Sequence, residues 1–117
     1  MRTRSVLCLC LLLALSLFAA APSDRGVSLK LAVFRPVVSD AADTPLAMPG
    51  AYFARETLIA NGGAARVYFC FENRAVNVAA DAFVEPGECL PPIYVRWRAM
   101  NLRAASGAVD MRVFAGY

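Results

Sequence analysis

Ile93-Tyr94-Val95-Arg96-Trp97-Arg98-Ala99-Met100 alternates strictly: Ile93, Val95, Trp97 and Ala99 fall on one side, Tyr94, Arg96, Arg98 and Met100 on the other. Successive side chains of a strand point to opposite faces, so a period of two marks a half-buried strand. The apolar side carries the chain's single tryptophan. Trp97 is therefore expected in the core, against the phenylalanines of a neighbouring strand.

The same period recurs on both sides of this stretch. Val67, Phe69 and Phe71 alternate with Arg66, Tyr68, Cys70 and Glu72. Val27, Leu29, Leu31 and Val33 alternate with Ser28, Lys30, Ala32 and Phe34, and the first set is the expected core face. Val76–Val84 repeats the pattern with smaller residues, and Val109, Met111, Val113 and Ala115 repeat it at the end of the chain. Turn formers fall between these runs: Asn61-Gly62-Gly63, Glu85-Pro86-Gly87, Pro91-Pro92 and Ser106-Gly107. Val37–Pro49, with Asp40, Asp43, Pro45 and Pro49, is expected to be a surface loop.

The pattern predicts a mainly β fold, a small antiparallel β-sandwich or open barrel of about six strands. Ala51–Ala60 fits a strand or a short helix equally. The alternative architecture is α+β, with one short helix near Arg55–Ala60 or Met100–Ala105.

Working outward to the N-terminus, Arg2 and Arg4 precede an apolar run from Val6 to Phe18 that ends in Ala19, Ala20 and Ala21. A basic start, a short apolar stretch and small residues make an export signal, and the stretch is shorter than a membrane span. Residues 1–23 are expected to be cleaved, which leaves 24–117 as one β-rich domain, secreted or periplasmic, with no stable membrane span. Cys8 and Cys10 leave with the signal. Cys70 and Cys89 remain, and in an oxidising compartment they are expected to form the domain's one disulfide. Closing a loop of 19 residues would contribute roughly 3 kcal/mol.

Composition narrows the chemistry. Without Arg2 and Arg4, ten basic residues face nine acidic ones, a balance that is no nucleic-acid footprint. The chain has no histidine, so imidazole catalysis and a histidine-based metal site are both ruled out. Neither a Gly-x-Ser-x-Gly elbow nor a Gly-rich phosphate loop is present. No cofactor or metal is expected. Glu56, Glu72, Asp81, Glu85 and Glu88 are the carboxylates from which a glycosidase-type pair would have to come, and their spacing pairs none of them.

What remains is surface recognition. Tyr94, Arg96 and Arg98 should project together opposite Trp97, and tyrosine and arginine are enriched where proteins bind one another. The alternative for the two arginines is an ordinary solvated face, paired across strands with Glu72 or Asp110. The reading is a non-catalytic module of inhibitor or accessory-subunit type that binds a protein partner. Its alternatives are a self-assembling surface subunit, for which the terminal strand ending at Tyr117 would be the pairing edge, and a small secreted carboxylate-dependent hydrolase.

Overall fold

The computed structural model of the chain describes residues 30–117. The expected signal, its cleavage, Cys8, Cys10 and the start of the first strand at Val27 lie outside the described residues. Among those described there are eight strands and no helix: β1 (Leu31–Phe34), β2 (Val37–Ser39), β3 (Thr44–Ala47), β4 (Glu56–Asn61), β5 (Val67–Cys70), β6 (Ala82–Val84), β7 (Ala99–Ala104) and β8 (Ala108–Gly116). Both segments offered for a helix are strands, β4 and β7.

The strands make two antiparallel sheets in a β-sandwich-like arrangement. In the first, β8 is central, with β4 along one side and β1 and β2 along the other. β1 and β2 keep one continuous register against β8, from Leu31↔Gly116 to Phe34↔Val113 and again from Val37↔Asp110 to Ser39↔Ala108. They are a single line broken at Pro36, which has no N–H to donate. Its carbonyl still accepts from Met111 N at 3.0 Å. Proline is tolerated here because the line is a sheet edge.

The second sheet has the order β3-β7-β5-β6. Two short connections pass the chain between the sheets at one corner: residues 40–43 join β2 to β3, and residues 105–107 join β7 to β8. Gly107 turns the latter with φ 64°, a conformation that a side chain disfavours. The Asp40 N–H donates to its carbonyl at 3.0 Å and locks the corner. More than half of the expected Val37–Pro49 loop is thus strand, with residues 40–43 connecting β2 to β3 and residues 48–49 leading into the next turn.

Between the sheets lie Val38, Ile59, Val67, Phe69, Val84, Trp97, Met100, Leu102, Met111 and Val113, all buried. Trp97 is the largest of them. Its ring stacks on Phe71 at a centroid distance of 5.9 Å, and Phe71 meets Phe69 edge-on at 5.5 Å. On the first line the phase is the reverse of that expected: Leu31 and Val33 are exposed, while Ala32 and Phe34 pack towards the core. The aromatic ring decides this, because Phe34 reaches Trp97, at 6.3 Å between centroids.

Cys70 and Cys89 are not bonded to each other. Cys70 ends β5 opposite Asn101 in the second sheet and carries a free, buried thiol, whereas Cys89 bridges Ala60 at the side of the first sheet. Loop length permitted closure, but the two sheets carry the residues to different places.

Candidate functional site

Ala54, buried at the start of the β4 line, pairs with Trp97: its N–H donates to the Trp97 carbonyl at 2.8 Å, and the Trp97 N–H donates back at 3.3 Å. One further bridge, Thr57↔Ile93, holds the same two segments together. The chain has three residues from Ala54 to Thr57 but four from Ile93 to Trp97, so the outer segment carries a bulge. Ile93–Met100 is therefore not one strand. Its first part flanks β4 in the first sheet, and its last two residues begin β7 in the second.

The Ala54↔Trp97 register brings Phe53 across from Arg98 and Arg55 across from Arg96, on the face opposite the buried tryptophan. The Arg96 guanidinium lies 4.1 Å from the Phe53 ring centroid and that of Arg98 lies 5.4 Å from it. Guanidinium groups at such distances are attracted by the ring quadrupole. Phe53 is held out at 37% exposure by the turn before it, where Gly50 adopts φ 58° and the Tyr52 N–H donates to the Pro49 carbonyl at 3.3 Å.

Two further aromatic rings complete the surface. Tyr117 is fastened to the start of the first line by reciprocal bonds with Lys30, of 2.7 and 2.8 Å. Its ring meets Tyr52 at 5.0 Å, and the Lys30 ammonium sits 5.4 Å from the centre of the Tyr52 ring. The result is an open concavity of about 580 Å³ lined by Ala51, Tyr52, Phe53, Arg55, Tyr94, Arg96 and Tyr117. Tyr94 is 68% exposed and Tyr52 is 52% exposed.

Of the three surface residues expected from the sequence, Tyr94 and Arg96 line this concavity, and Arg98 reaches its Phe53 wall. Neither arginine pairs with Glu72 or Asp110. Glu72 bonds Arg74 at 2.8 Å. Sequence reasoning misses Tyr52, Phe53, Arg55 and Tyr117, since Ala51–Ala60 has no decisive period. The available signal was the exposed-type pair Tyr52-Phe53 directly after the Pro49-Gly50 turn.

Charge is unevenly distributed. The ion pairs among the described residues join Arg66 to Glu85, Arg74 to Glu72 and Asp81, and Arg103 to Asp43. They engage most of the carboxylates that the sequence offered for catalysis, and the cluster of Glu72, Arg74 and Asp81 lines a neighbouring cleft that Arg96 also borders. Asp81 takes a two-pronged contact from Arg74, at 2.6 and 2.9 Å, and an N–H from Asn77 at 2.7 Å. Arg74, and then the Asn77 N–H, hold its carboxyl at about 2, down from 3.8. A general acid needs the opposite shift. Lys30, Arg55, Arg96 and Arg98, by contrast, gather around the aromatic concavity with no carboxylate in ion-pair contact among the described residues.

In comparison with known proteins, no family model matches the chain and no curated protein matches it.

Proposed function

We propose that this is an exported, non-catalytic binding module that engages a partner protein through the concavity between Tyr52, Phe53, Arg55, Tyr94, Arg96 and Tyr117. The observation that carries this reading is the convergence of four exposed or half-exposed aromatic rings with arginines that make no ion pair among the described residues. Arginine and aromatic side chains are enriched among the anchors of protein interfaces, the aromatics because they bury large areas at low entropic cost and arginine because its fork of donors makes several polar contacts at once. Stacking on Phe53 holds Arg96 in place before any partner arrives, which lowers the ordering cost of binding.

The test is partner capture from the protein's own export compartment, run in parallel with Tyr94→Ala and Arg96→Ala and followed by light scattering of the complex. A stoichiometric partner retained by the wild type and lost by both variants is the expected result. Capture that is indifferent to both substitutions overturns the reading.

One observation favours a second reading, a subunit that assembles with itself. Leu31, Val33 and Val37 form an exposed apolar row along the edge line of the first sheet, at 36%, 45% and 60% exposure. Exposed apolar edges invite strand pairing between copies. The purified protein would then self-associate, and Val33→Lys would abolish it.

A further inference from the structure

We infer that the partner segment taken by this concavity is an extended acidic stretch of polypeptide, laid as an added strand along the free edge at Tyr94 and Arg96. The inference rests on the reading of the concavity as a partner site and specifies what occupies it.

Two independent features of the same few residues lead there. The first is electrostatic. The Ala54↔Trp97 pair sets Arg55 across from Arg96, and like charges facing each other across strands are destabilising. Arg98 and Lys30 add to the same field, and among the described residues none of these four cations is in ion-pair contact with a carboxylate, although Arg96 also borders the cleft that holds Glu72 and Asp81. Acids are supplied to Arg66, Arg74 and Arg103, and a cluster of cations without such partners is a local conflict of the kind that marks a functional surface. A ligand bearing carboxylates removes it.

The second feature is the backbone. Ile93 and Trp97 direct their N–H and carbonyl groups at β4, where both are bonded to Thr57 and Ala54. The bulge between these bridges leaves Tyr94 and Arg96 exposed, along with Val95 between them. No hydrogen bond engages the backbone of either residue among the described residues. Sheet edges in this state accept an extended peptide through main-chain bonds, while flanking side chains select its sequence. Here the flanking side chains are cationic and aromatic. They favour a peptide that alternates acidic residues, directed at Arg55, Arg96 and Arg98, with apolar ones against Phe53 and Tyr94. Pro91 and Pro92 cannot donate, so they bound the accepting edge on one side.

The test uses the purified protein and fluorescein-labelled short peptides, read by polarisation. Expected is saturable binding of an alternating Glu-Val peptide, no binding of its Lys-Val counterpart, and a fall in affinity of roughly tenfold between low and physiological salt, as for any charge-steered contact. Arg96→Glu should abolish binding. Retention of the single-tryptophan fluorescence spectrum would show that the variant is folded.

A Glu-Pro peptide carries the same charge without alternate N–H groups, and equal binding of it overturns the added strand. Tighter binding of a sulfated sugar oligomer than of the Glu-Val peptide overturns the polypeptide ligand. If the Glu-Val peptide fails while partner capture stays sensitive to Tyr94→Ala and Arg96→Ala, only the acidic strand is wrong. If capture ignores both variants, the partner site itself is wrong.

Discussion

The indole N–H of Trp97 donates to the hydroxyl of Thr57 at 2.7 Å, with both residues buried. This bond ties the segment carrying Tyr94 and Arg96 to β4 from the core side. It also satisfies the one polar atom of a side chain otherwise surrounded by Phe34 and Phe71. Thr57→Val keeps the shape and removes the acceptor, leaving a buried donor unpaired, which costs about 1–3 kcal/mol. Urea denaturation followed by tryptophan fluorescence should show that loss. In Trp97→Phe, which has no donor, adding Thr57→Val should cost much less.

Gly63 faces a second tight contact. A β-carbon at this position would lie 2.5 Å from Cγ1 of Val109. Gly63→Ala is expected to destabilise the fold by roughly 1–3 kcal/mol, the range for overpacking. Val109→Ala should recover part of that loss in the double variant. A simply additive double variant would show that the cost arises elsewhere, for example in the turn where Asn61 Oδ1 accepts the Gly63 N–H at 2.9 Å.

Cys70, 6% exposed with a free thiol, behaves as a small apolar side chain. Cys70→Ala should lower stability by on the order of 1 kcal/mol for the lost packing. Loss of a cross-link would instead cost roughly 3 kcal/mol. In the native wild type, Cys70 should resist alkylation until denaturant is added, as mapped by mass spectrometry.

The Arg74–Asp81 contact gives the fold a defined sensitivity to acid. Because the folded protein holds the Asp81 carboxyl at about 2 against 3.8, folding disfavours its protonation. Stability from this group is therefore fully present above about pH 4 and is lost as the pH falls towards 2. Asp81→Asn should be less stable than wild type at neutral pH, and the two should converge near pH 2 in denaturation curves collected across that window.

How far the sequence was legible follows from what periodicity measures. β5 and the alternating core of β8 were readable because one face of each is apolar and the other is not. β4 was ambiguous because Thr57, Leu58, Ile59, Ala60 and Asn61 are all buried, and a strand covered on both faces loses its alternation. Val37–Pro49 read as loop because prolines and aspartates interrupt it, although β2 and β3 form there. Pro36 and Pro45 lie on sheet edges, where a missing N–H costs little.

By itself the sequence determined the class of fold, the burial of Trp97 and the exposure of Tyr94, Arg96 and Arg98, whereas the same alternation put Val95 inside and Met100 outside, and the bulge and the change of sheet reverse both. Only the tertiary structure decided which face of β1 turns inward, since either face is apolar enough and the contact of Phe34 with Trp97 settles it. The tertiary structure alone also separated Cys70 from Cys89, because spacing along the chain does not say which sheet a residue joins. It assembled the candidate site as well: Tyr52, Phe53, Arg55 and Tyr117 meet Tyr94 and Arg96 through strand registers and a bulge, relationships between distant segments that no local pattern encodes.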